Sequence, residues 1–327
     1  MAELNTTFIR PHLEERRRRL AAELPRAARL PNLERLLAEV DAALARLDDG
    51  SFGLCDTCHE PIEPERLVAD PLTCYCLDHL TDNQRSDLER DLELAGRIQR
   101  SLLPARHLVA GDWEVHIHSE PAGAVSGDYC DLVPSGNGGG LLFAFGDVSG
   151  KGVAAAFLAA HLRAILHSLA GEALPVAELL TRTSRLFRES TIAPYFATLV
   201  CGRARAAGEI ELANAGHCPP LLLSGGDVRE LQPGGLPVGT ALSCCYSAEA
   251  LALGPGDTLL LYTDGLSEAR DRADREYGAE RLAAVARRHA DAPLARLVEA
   301  CLADLGGFLA GAAKTDDLTL MAIRRVA

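Results

Sequence analysis

The 327-residue sequence lacks a basic amino-terminal region followed by an apolar core: it begins MAELN, so we expect no signal peptide. It also lacks a long uncharged apolar run. The most apolar stretch, residues 153–170, contains His161, Arg163 and His167, which predicts a core helix rather than a membrane span. Acidic residues outnumber basic residues. The net charge of −13 argues against a general nucleic-acid-binding or anionic-membrane surface.

Two common catalytic patterns are also missing. The glycine-rich stretch 146–152 (GDVSGKG) lacks the spacing of a phosphate-binding P-loop, because Gly152 stands where Ser or Thr should follow Lys151. We find no Ser-His-Asp or Cys-Arg arrangement suited to nucleophilic catalysis. Ten cysteines without a signal sequence predict a reducing compartment, the cytoplasm, in which metal binding is favoured over disulfides.

The amino-terminal part of the chain predicts a short helical hairpin over residues 1–50. Residues 13–24 form a charged helical pattern and residues 33–47 carry an apolar stripe at helical spacing, with prolines between them. The run EERRRR at 14–19 has two interpretations. It is either a basic patch or a solvated helix face with intrahelical ion pairs.

Cysteine and histidine spacing predicts a zinc site in residues 51–80. Cys55, Cys58, Cys76 and His79 give the pattern C-x2-C-x17-C-x2-H, and Cys74 is an alternative third ligand. Pairs of ligands two residues apart can complete a tetrahedron around one zinc ion. Because no acid-base residues surround the set, we expect one closed, structural Zn²⁺ site.

Residues 33–80 resemble the DksA/TraR-type zinc finger. The resemblance is carried by residues 42–53 (AALARLDDGSFG), the four candidate ligands and residues 66–67. His79 stands where that family has a fourth cysteine. In the family a long coiled coil enters the secondary channel of RNA polymerase, so the resemblance raises one alternative function, a transcription regulator that acts on the polymerase.

Residues 81–107 predict a regulatory linker. Apolar residues recur along a helix at 81–103 with steps of four, three, three and four: Leu88, Leu92, Ala95, Ile98 and Leu102. Such a seam fits one partner helix. It either packs against its own domain or forms a homodimer, and we expect the dimer.

From Trp113 onward the pattern is one of short strands, turns and a few helices. Apolar runs at 141–145, 258–262 and 318–323 predict buried strands, and helices are expected at 279–289 and 294–309. Four further short strands are separated by glycine-containing turns and predict a meander: 196–203, 209–213, 220–223 and 228–231.

Four aspartates stand at the ends of these strands, each beside a glycine or another aspartate: Asp128, Asp147, Asp264 and Asp316. If these strand ends converge, the carboxylates cannot all remain ionised without cations. Oxygen-only ligands select hard ions, Mg²⁺ or Mn²⁺. Two such ions about 3.5–4 Å apart activate water and clamp a phosphoryl group.

Residues 121–325 resemble the SpoIIE/RsbU-type serine/threonine phosphatases of the PPM (protein phosphatase 2C-like) superfamily. Seven motifs carry the resemblance: SGDY at 126–129, GDVSGKG at 146–152, FATL at 196–199, NAGH at 214–217, GLPVG at 235–239, YTDG at 262–265 and DDLT at 316–319. Residues 92–95 and 98–104 also match the family's regulatory linker.

This resemblance implies an α+β fold over residues 108–327, a PPM β-sandwich with helices on both outer faces (αββα). Asp147 would bridge two Mn²⁺ or Mg²⁺ ions, the Val148 carbonyl would add an oxygen, and the other three aspartates would complete the site. Hydrolysis would use a water activated by the two metals. Asn214 and His217 have either a turn-forming role or, at His217, a general-acid role. Lys151 either contacts phosphate or is a solvated loop residue.

The same resemblance implies a bacterial, cytoplasmic protein that removes phosphate from Ser or Thr of a phosphorylated anti-anti-sigma (STAS) protein. The zinc module would control this activity. A catalytically silent scaffold of the same fold is the second alternative. No membrane or nucleic-acid partner is expected.

Overall fold

A computed structural model describes residues 6–23, 31–80, 82–135, 140–172, 174–191, 195–232, 234–240 and 245–326. Nine α-helices lie in these ranges: α1 (Thr6–Glu23), α2 (Pro31–Asp49), α3 (Pro64–Ala69), α4 (Asp82–Leu102), α5 (Gly152–Ala170), α6 (Val176–Ser190), α7 (Asp264–Ser267), α8 (Ala279–Arg288) and α9 (Leu294–Leu309). The same ranges contain eleven strands: β1 (His107–Ala110), β2 (Trp113–Glu120), β3 (Asp128–Pro134), β4 (Leu141–Val148), β5 (Ala197–Ala204), β6 (Glu209–Ala215), β7 (Leu221–Ser224), β8 (Asp227–Glu230), β9 (Glu249–Ala252), β10 (Thr258–Tyr262) and β11 (Leu318–Arg325).

The chain divides into an amino-terminal unit, Met1–Arg90, and a carboxy-terminal unit, Asp91–Ala327, with the division inside α4. In the amino-terminal unit α1 packs against α2 around a small apolar core: Ile9, Leu13, Val40 and Ala43. Phe52 and Leu72, from the segment that follows α2, pack against this same core. The hairpin and the cysteine-rich segment therefore form one compact body.

Ion pairs account for the charged face of α1. Glu15 accepts hydrogen-bonded ion pairs from Arg18 at 2.7 Å and Arg19 at 2.8 Å, within the same helix. Arg17 reaches across the hairpin to Asp41. The solvated-face interpretation of the arginine run is therefore correct, and the basic-patch interpretation is not needed.

Two antiparallel sheets form the centre of the carboxy-terminal unit. The first sheet has the strand order β1-β2-β11-β10-β7-β8 and the second has the order β3-β4-β5-β6-β9. A core of buried side chains from both sheets separates them, including Trp113, Phe143, Phe145 and Met321. Helices α5 and α6 cover the second sheet, and α8 and α9 cover the first. The expected αββα sandwich is confirmed.

Strand β4 explains why a continuous apolar run predicted a buried strand. Phe143 and Phe145 point into the core between the sheets, whereas Leu142 and Ala144 face the α5–α6 layer. Because both faces of the strand are covered, no polar alternation is needed.

Helix α5 is long and apolar enough by length and composition to cross a membrane. Its Leu162 and Leu166, however, pack with Leu142 and Ala144 of β4 in one buried cluster. The apolar composition is therefore that of a helix buried against a sheet, as the sequence predicts.

The predicted meander is wrong at its middle. Strands β5 and β6 pair in the second sheet and β7 and β8 pair in the first, so the chain changes sheets between β6 and β7. The physical reason is that both sheets contribute apolar side chains to one shared core. The alternation of apolar residues is therefore the same in the strands before and after the chain changes sheets.

Candidate dimetal active site and zinc site

The second sheet supplies two of the four aspartates. Asp128 begins β3 and Asp147 lies near the end of β4, and the antiparallel register places them directly opposite each other. On the other side of β4, Asp147 is opposite Thr198 of β5. Directly opposed residues of an antiparallel pair lie within about 4.5–5.5 Å. The two carboxylates therefore share one end of the sheet.

The backbone beside Asp147 adds a further oxygen. A methyl group at Gly127 would lie 3.0 Å from Asp147 Oδ1 and 3.1 Å from the Val148 carbonyl oxygen. These two oxygens consequently face the same glycine from one side. Both oxygens belong to the ligand set that the sequence predicts, and their role as ligands stays a prediction.

The first sheet supplies the other two aspartates. Asp264 begins α7 two residues after the end of β10, and Asp316 lies two residues before β11, the neighbour of β10 in the sheet. Gly265 permits this approach, because a Cβ there would lie 1.9 Å from the Asp317 carbonyl oxygen. Any side chain at position 265 would push the two acidic turns apart.

Asp128 connects the two sheets at this end of the sandwich. Its side chain is 6% exposed, and its Oδ2 accepts hydrogen bonds from the hydroxyls of Thr319 (2.6 Å) and Thr263 (3.1 Å). Burial raises the pKa of Asp128 well above its usual range despite these two donors, and the charge of Asp147 raises it further. The two hydroxyls thus hold the carboxyl group in place but supply no positive charge to offset its burial.

The electrostatics of the cluster favour bound cations. Burial, followed by the charges of Asp264 and Asp316, raises the pKa of Asp147 to about 7. Burial and the Asp316 charge also raise the pKa of Asp264. Hard oxygen donors that repel one another in this way are a suitable set for Mg²⁺ or Mn²⁺.

The four aspartates are less tightly gathered than the zinc ligands. Among described residues, the zinc-site quartet is the only group of three or more ligand atoms that lie mutually within 4.8 Å.

Lys151 and Asp317 have roles that sequence reasoning did not identify. Lys151 Nζ lies 2.9 Å from Asp316 Oδ2 and donates to the Thr315 carbonyl, which neither alternative for this lysine anticipated. Asp317 accepts backbone N–H bonds from Ala122 and Gly127 at 2.7 and 2.8 Å. It therefore orders the loop before Asp128. In the sequence, the only sign of this role was that the DDLT motif contains a second aspartate.

The turn at 214–217 favours the structural interpretation of its two polar residues. Asn214 accepts a hydrogen bond from the His217 N–H at 2.8 Å and donates to the His217 carbonyl at 3.1 Å. Both ring nitrogens of His217 have partners, and burial lowers its pKa to about 4. A neutral imidazole with no free nitrogen is poorly suited to donate a proton to a leaving group.

The amino-terminal unit brings the predicted zinc ligands together. Sulfur and nitrogen atoms of Cys55, Cys58, Cys76 and His79 all lie within 4.8 Å of one another. The Sγ atoms of Cys58 and Cys76 are 3.8 Å apart, and Cys76 Sγ is 3.2 Å from His79 Nδ1. Zinc–sulfur bonds of about 2.3 Å at tetrahedral angles separate two sulfurs by about 3.8 Å. The geometry fits one zinc ion.

The thiols differ in how readily they ionise. Burial opposes ionisation of Cys55, but backbone N–H groups of Cys76, Cys58 and Thr57 outweigh it and lower its pKa to about 6. A thiolate is the form that binds zinc. Cys74, the alternative third ligand, lies outside the quartet, and burial raises its pKa.

Comparison with known proteins gives matches for both units. The family model for Stage II sporulation protein E (SpoIIE) matches residues 137–326, which is more than half of the chain. The prokaryotic dksA/traR C4-type zinc finger family matches residues 50–78. Its last matched residue immediately precedes His79.

Individual relatives agree with the family matches. Protein IcfG of Synechocystis is 27% identical over 72% of this chain and 41% of its own length. Phosphoserine phosphatase RsbU of Bacillus subtilis is 25% identical over 57% of this chain and 56% of its own length. The chain therefore spans about half the length of these two relatives. The solved SiaA-PP2C domain of Pseudomonas aeruginosa has a TM-score of 0.64 and is 26% identical, covering 73% of this chain and 98% of that domain.

The position of Asp147 between the other carboxylates leads to a first prediction. Asp147→Asn should weaken Mn²⁺ binding, measured by calorimetry, and reduce Mn²⁺-dependent phosphate release about 10²–10³-fold, because removing one charge-stabilising group typically costs that much. Asp227→Asn, which removes an exposed carboxylate from β8, is the control and should behave like the parent protein. Near-normal Mn²⁺-dependent turnover in the Asp147 variant would falsify the assignment.

The zinc quartet leads to a second prediction. Cys76→Ser should release zinc and unfold residues 50–80, because structural zinc in finger peptides contributes on the order of 10 kcal/mol of apparent binding free energy. The matched variant Cys74→Ser should keep its zinc. Metal content after gel filtration and hydrogen exchange over residues 50–80 test both. Zinc loss from the Cys74 variant instead would make Cys74 the third ligand.

Proposed function

Because the chain belongs to the SpoIIE family and is a PPM-type serine/threonine phosphatase, we propose that it hydrolyses phosphoserine or phosphothreonine on a regulatory protein with two divalent cations. The observation that carries the proposal is the gathering of aspartates from both sheets at one end of the sandwich. Asp147 of the second sheet is close enough to Asp264 and Asp316 of the first for their charges to raise its pKa.

The proposed ligands of the two Mn²⁺ or Mg²⁺ ions are Asp128, Asp147, the Val148 carbonyl, Asp264 and Asp316. Bound cations supply an activated water and offset the negative charge of the phosphoryl group. The chain's own residues fix the geometry. Threonine hydroxyls hold Asp128, and Gly127 leaves room beside Asp147 and Val148.

The presence of all four aspartates favours an active enzyme over a catalytically silent scaffold. All four aspartates are present, and each lies at or beside a strand end. Retaining mutually repelling carboxylates lowers the stability of the metal-free fold, because burial of unpaired charge is unfavourable. A scaffold would gain stability by losing them.

We propose that the substrate is a phosphorylated anti-anti-sigma (STAS) protein and that the reaction takes place in the bacterial cytoplasm. Support comes from the likeness to RsbU, named as a phosphoserine phosphatase, and from a solved protein that joins RsbU and RsbW domains. That Mycobacterium tuberculosis structure, Rv1364c, has a TM-score of 0.57 and is 29% identical, covering 67% of this chain and 61% of that one.

We further propose that the zinc unit controls activity through α4. Gln99 of α4 makes two hydrogen bonds with the backbone of Ser126: its amide donates to the Ser126 carbonyl at 2.6 Å and accepts from the Ser126 N–H at 2.9 Å. Gly96 allows close contact, since a Cβ there would lie 2.3 Å from the Ala124 carbonyl oxygen. Ser126 is two residues from Asp128, so a shift of α4 would move a proposed metal ligand.

The exposed apolar residues of the α4 seam support a homodimer. In the predicted seam Ile98 is 55% exposed and Leu88 is 38% exposed. Leu92 and Ala95 are only partly buried. An apolar stripe at heptad-like spacing that its own chain covers only in part is suited to an identical helix. Two packed arrangements of such a pair could give two geometries at the active site.

A direct test of the proposed function measures phosphate release from a phosphorylated STAS protein and from a phosphoserine peptide. We expect release with Mn²⁺ or Mg²⁺ and none after chelation and dialysis, because the carboxylates alone cannot activate water. Metal-independent release of equal rate would contradict the dimetal proposal. Release from the peptide but not from the STAS protein would overturn the substrate class while leaving the phosphatase chemistry intact.

The α4 seam gives a third mutational prediction. Leu92→Lys should convert the dimer into a monomer, because a charge in an apolar seam is costly to bury. Turnover should change along with the oligomeric state. Leu94→Lys is the control on the same helix: Leu94 is 47% exposed and lies off the seam. Light scattering and Mn²⁺-dependent turnover on one phosphoprotein measure both effects. A Leu92 variant that is monomeric but has unchanged turnover would show that α4 is only a tether.

A further inference from the structure

The connection between β6 and β7 carries the chain from the second sheet to the first and is built around one buried histidine. Asn214 closes the turn with its two hydrogen bonds to the His217 backbone. Gly216 has a φ of +70°, which favours glycine, and a Cβ there would lie 2.8 Å from the Pro237 ring. The turn therefore has one conformation, and it directs the His217 side chain inward.

The ring of His217 is 4% exposed and hydrogen-bonds on both edges. Its Nε2 lies 3.1 Å from the Tyr262 carbonyl oxygen, which can only accept, so Nε2 carries the proton. Its Nδ1 lies 2.8 Å from the Thr198 hydroxyl, which must then donate. The hydrogen bonds thus fix a single neutral tautomer.

These two partners belong to different sheets and lie beside different proposed metal ligands. Thr198 is directly opposite Asp147 in the β4–β5 pair, and its hydroxyl oxygen is 3.4 Å from the Asp147 carbonyl oxygen. Tyr262 ends β10, two residues before Asp264. The imidazole also packs edge-on against Phe145, whose ring centroid is 5.4 Å away.

We propose that His217 is a positioning residue, which bridges the two sheets at their dimetal end and sets the separation between Asp147 and Asp264. The inference rests on the proposed dimetal function, because it assigns His217 to the geometry of that site. Residues that hydrogen-bond around metal ligands orient them, and their loss typically lowers metal affinity about 10–100-fold. His217 reaches the ligands through the backbone of each sheet.

A general-acid role would make different demands on the same residue. A proton donor must reach the leaving-group oxygen and carry a proton to give. Here both nitrogens are occupied inside the protein, and the burial that surrounds the ring disfavours its charged form. The two roles therefore differ in what a substitution should change: metal affinity in one case, and proton donation in the other.

The test uses the full chain with His217→Ala and His217→Gln. In the Ala variant we expect the Mn²⁺ affinity, measured by calorimetry, to fall about 10–100-fold. The Mn²⁺ concentration for half-maximal turnover should rise by about the same factor. At saturating Mn²⁺ kcat should fall less than the affinity does. Glutamine offers both a donor and an acceptor, so His217→Gln should recover part of the affinity. If the Ala variant does not fold, the Gln variant decides.

The control removes another inter-sheet hydrogen bond far from the carboxylates. Trp113→Phe deletes the bond from the indole N–H to the Arg205 carbonyl, 2.9 Å long, and should lower the melting temperature without changing Mn²⁺ affinity. An equal loss of affinity in this variant would show that His217 acts only through general stability. Parent-like Mn²⁺ affinity in the His217 variants would also overturn the proposal.

Two substrates separate positioning from proton donation. With p-nitrophenyl phosphate the leaving group needs no proton, whereas a phosphoserine peptide has a poor leaving group. Positioning predicts the same shift in Mn²⁺ dependence for both substrates. Loss confined to kcat on the peptide, with unchanged Mn²⁺ affinity, would make His217 a general acid instead. If the parent protein itself binds no Mn²⁺, the proposed dimetal function fails before this inference is reached.

Discussion

Repulsion among carboxylates at one end of the β-sandwich is the constraint on which the rest of the carboxy-terminal unit depends. Asp147 is surrounded by enough negative charge and apolar protein to raise its pKa to about 7. Such a group is unfavourable in an isolated fold, so the strand ends must be held together by interactions elsewhere. The large core between the sheets provides them. Stability gained in the core offsets the cost at the site, as is common for catalytic centres.

A small set of buried polar side chains converts that general stability into defined geometry. Thr263 and Thr319 come from the first sheet and donate to Asp128 of the second, and His217 joins Thr198 to Tyr262 across the same gap. Apolar packing alone would tolerate small shifts between the sheets. Hydrogen bonds do not, because a buried donor or acceptor left without a partner costs about 1–3 kcal/mol.

The sequence was most informative where chemistry and secondary structure are both local. Apolar runs located β4, β10 and β11, and the spacing of cysteines and His79 located the quartet. The sheet change between β6 and β7 could not be read in this way, because alternation records burial and not the sheet to which a strand belongs. Asp317 was missed for a related reason. Its role is to accept N–H bonds from a loop 190 or more positions away in the sequence, which no local pattern encodes.

The chain carries two candidate ligand sets of different chemistry. Thiolates and imidazole suit zinc, whereas carboxylate and carbonyl oxygens suit Mg²⁺ or Mn²⁺. Helix α4 contains the division between the two compact units. Its Gln99 is hydrogen-bonded to Ser126 on both sides of the amide, so the helix cannot rotate there without breaking those bonds or moving the Asp128 loop. A shift of α4 at Gln99 would therefore be passed directly to the loop that begins at Ser126 and leads to Asp128, which is the physical basis of the proposed control.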